Sequence, residues 1–174
     1  NWRTGINGVS PDFFDIRDWG VSSGVLFTDQ DVRSSRKIAV IGATVAANLF
    51  GDTDPTGEKI QIGRIPFTVG GVLAAKGQNA SGNDQDDIIV IPYTTAQTRL
   101  SGRSFIGQIM VSAFSPAEIP AAQKETTAIM RDGHHLADCP GDCTVRNETE
   151  IANAATGRAT VMAGLLAAIA PISL

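Results

Sequence analysis

Lys37-Ile-Ala-Val-Ile-Gly42, followed by Ala43-Thr-Val-Ala-Ala-Asn-Leu-Phe-Gly51, is the stretch on which the fold turns. Ile38, Ala39, Val40 and Ile41 are consecutive and apolar, so both sides of this segment need cover, which predicts a buried strand. From Ala43 the spacing changes. Val45, Leu49 and Phe50 fall on one side of a short helix, and Gly51 supplies its stop. A strand that turns into a helix at a glycine resembles the opening of a nucleotide-binding unit. Gly42 is the only glycine at that turn, however, and neither G-x-G-x-x-G nor G-x-x-x-x-G-K-[ST] occurs in the chain. The stretch therefore reads as a packing element.

Working outward, residues 52–57 (Asp-Thr-Asp-Pro-Thr-Gly) form a turn cluster. They are faintly like the first half of a calcium loop, but Gly63 stands where the twelfth-position Glu belongs. Residues 59–62 and 67–73 predict a hairpin joined around Gly63-Arg64-Ile65-Pro66. Residues 74–87, rich in Gly, Asn, Asp and Gln, read as a mobile loop, residues 88–91 as a strand and residues 94–100 as a short helix. Upstream, residues 6–9 predict a strand, and Ser10-Pro11-Asp12 a helix start with Ser10 as cap. Phe13, Phe14, Ile16 and Trp19 give that helix an apolar side, and residues 24–36 read as a polar loop. Downstream, residues 105–114 are the longest strand candidate. Residues 116–131 are the clearest helix, capped by Ser115, with Ile119, Ala122, Thr126, Ile129 and Met130 along one face. A short strand over 144–146 and a helix beginning at Asn147-Glu-Thr-Glu150 complete the reading. Mixed strands and helices with short hairpins predict an α+β fold.

The chain has 174 residues, 43% hydrophobic and 18% charged, enough for a core and too apolar for wholesale disorder. Its net charge is −4 and its aromatic content 6%, which argues against nucleic acid as a partner. Residues 161–174 carry no charge. A helix of that length rises about 21 Å, short of a bilayer, so the tail reads as a terminal or membrane helix cut partway. The abrupt Asn1-Trp2-Arg3 start points the same way, to an excised fragment.

Few residues suggest chemistry. Asp84, Asp86 and Asp87 precede a strand with no His or nucleophile nearby, and read as the solvated rim of a loop. His134, His135, Asp138, Cys139 and Cys143 form the densest group of ligand types. Cys139 and Cys143 admit three readings: a local disulfide, free thiols, or part of a zinc site. No G-x-S-x-G motif is present and no cofactor is implied. The motifs point to a binding or mechanical domain rather than an enzyme.

Several segments in order carry a resemblance. They are Asn7-Gly-Val-Ser-Pro-Asp-Phe-Phe14, Lys37-Ile-Ala-Val-Ile-Gly42 with Ala47-Asn-Leu-Phe-Gly51, and Asp54-Pro-Thr-Gly-Glu-Lys-Ile60. Ile65-Pro-Phe-Thr-Val-Gly-Gly-Val72, Lys76-Gly77, Asp86-Asp-Ile-Ile-Val-Ile-Pro-Tyr93 and Ala167-Ala-Ile-Ala-Pro-Ile-Ser-Leu174 follow. Together they resemble the extracytoplasmic domain of MacB-type ABC transporter permeases. The resemblance implies a two-lobed domain: residues 1–104 as a β-rich outer lobe, 105–147 as a strand–helix–strand porter-like lobe, and 148–174 as a stalk entering the membrane. It implies a role in passing the motion of cytoplasmic ATP hydrolysis to the periplasmic side of the inner membrane, the ATPase residing elsewhere. The implied partners are a second permease subunit, a periplasmic adaptor, and the membrane through the C-terminal helix. Regulation of a cell-wall hydrolase or a lipoprotein carrier is the alternative. Gly70, Gly71, Asp86 and Asp87 are the candidate hinge or contact residues. The apolar tail is expected to be helical and to pack on a neighbouring chain.

Overall fold

The computed structural model describes residues 3–79, 82–102, 105–133 and Val145. The elements run β1 (Gly5–Val9), α1 (Asp12–Ile16), β2 (Val21–Gly24), α2 (Asp29–Arg33), β3 (Ile38–Ile41) and α3 (Ala43–Phe50). Then come β4 (Lys59–Ile62), β5 (Ile65–Leu73), β6 (Ile88–Pro92) and α4 (Tyr93–Thr95), which continues as a π-helical segment, Ala96–Ser101. A 3₁₀ turn, Pro116–Glu118, leads into α5 (Ile119–Gly133). Residues up to Val111 belong to one compact unit, and those from Ser112 to a second.

The first unit is built on a mixed sheet of order β1-β6-β3-β5-β2, with β4 also paired to β5. β1 runs parallel to β6 and β3 parallel to β5, while β6–β3, β5–β2 and β5–β4 are antiparallel. All four residues of β3 are buried, as a strand with covered faces requires. Their alternation feeds two apolar layers. Ala39, Ile41, Ile89, Ile91, Phe67 and Val69 pack with Val45 of α3, and Ala46, Phe50, Ala96 and Leu100 close over them. On the other side Ile38, Val40, Val90 and Leu73 pack with Phe13, Phe14, Trp19, Phe27 and Val32. Phe14 meets both Phe13 and Phe27 edge-on, with ring centroids 5.5 and 5.3 Å apart.

The strands β1, β3, β4, β5 and β6 and the helix α3 lie where the sequence predicts them. Six local readings need correction. Residues 24–36 are not simply a polar loop. They contain the end of β2 and the helix α2, and they bury Phe27 and Val32. Residues 105–114 form no strand. Ile106, Ile109 and Val111 are more than half exposed, and alternation does not make a strand where no strand among the described residues takes the ladder bonds. Ser10 does not cap α1 with its side chain. The helix begins at Asp12, and Ser10 contributes only its carbonyl, accepting from the Phe13 N–H at 3.1 Å. Leu49 and Ile129 are exposed, so α3 packs through Val45, Ala46 and Phe50, and the half-buried residues of α5 are Ile119, Ala122, Gln123, Thr126, Thr127 and Met130. The hairpin is tighter than expected, with Ile62 opposite Ile65 and only Gly63 and Arg64 between them. Ser115 precedes the 3₁₀ turn without a side-chain cap, its carbonyl accepting from the Glu118 N–H at 3.1 Å.

Candidate functional site

Asp86 is the most constrained polar residue of the first unit. Its side chain is 5% exposed, which contradicts its reading as part of a solvated rim. The Lys76 N–H donates to Oδ1 at 2.9 Å and the Gly77 N–H to Oδ2 at 2.8 Å, so the carboxylate closes the base of the loop between β5 and β6. Two backbone donors compensate its burial. The Asp86 N–H in turn donates to Asp84 Oδ1 at 2.8 Å, and the Thr44 hydroxyl donates to Asp84 Oδ2 at 2.7 Å. The loop is thereby tied to the first turn of α3. Gly42 makes that approach possible, because a Cβ there would lie 2.0 Å from the Asp86 carbonyl oxygen. Asp87 offers its carbonyl to the Thr4 hydroxyl at 2.8 Å, at the entry to β1.

The other side of the loop is anchored to α1. The Trp19 Nε1–H donates to the Ala74 carbonyl at 2.7 Å. Lys76 Nζ lies 5.3 Å from the centre of the Trp19 ring and donates to the Arg17 carbonyl. The expected mobile loop is therefore held at its base, while residues 78, 79, 82 and 83 are exposed at its tip.

Gly70 and Gly71 lie inside β5 rather than in a loop. Ala39 pairs with Val69 and Val40 with Gly71, leaving Gly70 as the extra residue of a bulge. At this point the partner of β5 on its other edge changes from β4 to β2. A Cβ on Gly71 would lie 2.7 Å from the Ser23 carbonyl oxygen, so the backbones of β5 and β2 meet where no side chain fits.

Two carboxylates titrate below the ordinary range. Asp31 is lowered chiefly by the Thr28 N–H, with burial opposing and Arg36, 2.9 Å away, assisting. Asp54 is lowered by the Thr56 hydroxyl and N–H, and by Ser23. Both act on local structure: Asp31 closes the start of α2, and Asp54 organises the turn before β4 and links it to β2.

Cys139, Cys143, His134, His135 and Asp138 lie outside the described residues, as do the predicted stalk, the apolar tail and all but Val145 of the strand over 144–146. Among the described residues no group of His, Cys, Asp or Glu is placed to hold a metal, and no helix is long and apolar enough to cross a membrane. Trp19, Lys76 and Gly42 escaped the sequence reading as partners of the Asp86 node. The signal for Lys76 was the short polar distance from Lys76-Gly77 to Asp86-Asp87 around a predicted loop.

A buried carboxylate tying a polar loop to a doubly covered sheet makes a rigid body with an exposed tip. A family model for the MacB-like periplasmic core domain matches residues 1–129. The chain belongs to that family. The chain is similar over 98% of its length, at 37% identity, to the macrolide export ATP-binding/permease protein MacB of Chlorobium luteolum. It is 36% identical over its whole length to the protein of that name from Bdellovibrio bacteriovorus. It spans 26% and 27% of those relatives. Among solved structures it is similar to the extracellular domain of the noncanonic ABC-type transporter YknZ from Gram-positive bacteria (26% identity, TM-score 0.62), covering 75% of this chain and 64% of that one. It is likewise similar to the periplasmic region of MacB from Actinobacillus actinomycetemcomitans (25% identity, TM-score 0.60), covering 75% and 56%.

Proposed function

We propose that this domain is the extracytoplasmic part of an ABC transporter permease and passes motion driven by cytoplasmic ATP hydrolysis to the periplasmic side, for export of a substrate of the macrolide type. The observation that carries this reading is the family match over residues 1–129, joined to relatives named as export ATP-binding/permease proteins along nearly the whole chain. The architecture suits the task. A sheet with apolar layers on both faces moves as a unit. In this reading the ATPase lies in another part of the transporter, the domain works beside a second permease subunit and an adaptor, and it sits at the inner membrane facing the periplasm. Gly70 and Gly71 are the place where β5 can flex between its two partners, and Asp86 and Asp87 hold the loop that meets a partner.

The test uses the complete transporter. Residues 3–129 are replaced by a flexible Gly/Ser linker of equal length, and ATP hydrolysis and macrolide efflux are measured in membranes and cells. The expected result is ATP hydrolysis without efflux. Undiminished efflux overturns the reading.

A further inference from the structure

The helix leaving β6 changes its hydrogen-bond register partway. Tyr93–Thr95 is α-helical and Ala96–Ser101 is π-helical, so the second part holds more residues per turn than the first. The start is fixed firmly. Thr95 is fully buried and its hydroxyl donates to the Arg36 carbonyl at 2.9 Å. The Thr94 hydroxyl donates to the Val32 carbonyl at the end of α2. Beneath, Gly8 of β1 lets Ala96 approach so closely that a Cβ on the glycine would lie 2.5 Å from the Ala96 Cβ. The end is fixed differently. The Ser101 hydroxyl donates to the Ala96 carbonyl, five residues back, at 3.3 Å, and Gly102 stops the helix in the left-handed conformation at φ 61°.

We infer that Ala96–Ser101 carries one surplus residue and slips between π and α registers. The apolar packing does not choose between them. Ala96 and Leu100 are the residues that this segment packs against the core. At 3.6 residues per turn a fourth residue falls just past a full turn, and in the wider π turn it falls just short. Either register therefore keeps both side chains on the sheet. What differs is the hydrogen bonding of residues 99–101 and the direction in which Gly102 sends the chain onward. The sheet stays fixed at Thr95 while the exit moves. In the transmission reading proposed above, this is the joint where movement enters or leaves the sheet, but the slip does not depend on that reading.

The test is made on the whole chain in solution, without membrane or nucleotide. Backbone relaxation dispersion is expected to show μs–ms exchange confined to residues 97–102. Through-hydrogen-bond couplings of the Ser101 N–H are expected to both the Ala96 and the Gln97 carbonyls. Deleting the exposed residue Arg99 removes the surplus. The sheet amide spectrum is expected to be preserved, the coupling to become purely four residues back, and the μs–ms exchange to disappear. Flat dispersion in the parent chain with coupling to Ala96 alone overturns the proposal, and so does a folded Arg99-deleted chain that still exchanges as before. Should that variant not fold, the parent chain's dispersion and couplings decide alone.

Discussion

Gly42 and Gly70 both lie under close neighbours, but the neighbours differ in how far they can yield. A Cβ at Gly42 meets the Asp86 carbonyl oxygen at 2.0 Å, which is backbone held by the loop's own bonds. A Cβ at Gly70 meets Ile38 Cδ1 at 2.7 Å and Cγ1 at 2.9 Å, a side chain that can change rotamer, and backbone only at 3.3 Å, the Val25 carbonyl oxygen. Gly42→Ala is therefore expected to cost about 3 kcal/mol and Gly70→Ala about 1 kcal/mol, measured as urea midpoints with an unchanged slope. Equal costs would show that the α3 turn relaxes as easily as a side chain. Asp86→Ala leaves the Lys76 and Gly77 N–H groups without their acceptor. It is expected to cost about 2 kcal/mol and to raise amide exchange in the loop base while sparing β3. The acidic cluster was visible in the sequence, but the burial of one member was not. That burial depends on Gly42, more than forty positions away, and no local pattern reports it.

Among the elements, α2 is the one the sequence concealed. Its five residues, Asp-Gln-Asp-Val-Arg, include a single apolar one, so no amphipathic period is long enough to register. What makes it a helix is Asp31, whose carboxylate accepts from the Thr28 N–H at 2.8 Å and the Thr28 hydroxyl at 2.9 Å, and pairs with Arg36. These bonds lower its pKa, so below the ordinary carboxylate range the native state resists the proton that the unfolded chain accepts. The stability it contributes is present above the unfolded value. It is lost as the pH falls through that value and then through the lowered native one. Asp31→Asn is expected to destabilise the domain at neutral pH and to shrink the further loss on acidification to about pH 3, relative to the parent. Parallel pH–stability curves for the two would remove Asp31 from the account. By contrast, β3, α3, β6 and the β4–β5 hairpin were legible, because each carries its own period and its own stop. The alternation over residues 105–114 carried a strand's period too, but a strand also requires a ladder partner, and sequence periodicity cannot supply one.

Across the molecule, the sheet unit contrasts with the stretch that follows it. Residues 105–111 carry exposed Ile106, Ile109 and Val111, with Met110 resting on the core layer of Phe14, Val40 and Val90. Few buried contacts, and no strand pairing among the described residues, make such a stretch the first to open. Limited chymotrypsin digestion is expected to cut between residues 105 and 114 before any site in residues 3–102, leaving a product that keeps the sheet's thermal transition. Early cutting within β4 or β5 would contradict this assignment of the weak point. The family and the α+β class were readable from ordered motifs, yet the sheet order was not. Its two outer pairings with β1 and β2 join residues that no neighbouring pattern connects.

The parallel pairing of β1 with β6 also sets a timetable. Gly5 lies against Ile88, and the Thr4 hydroxyl reaches a carbonyl 83 positions further on. At roughly 5–20 residues per second of synthesis, β1 waits roughly 4–17 s before its partner exists. During that interval its exposed side chains and unpaired amides are open to other strands, and the hairpin of β4 and β5, complete by Leu73, has time to form first. The first strand of this sheet to be made is thus among the last to be paired, and the growing chain must keep it solvated until then.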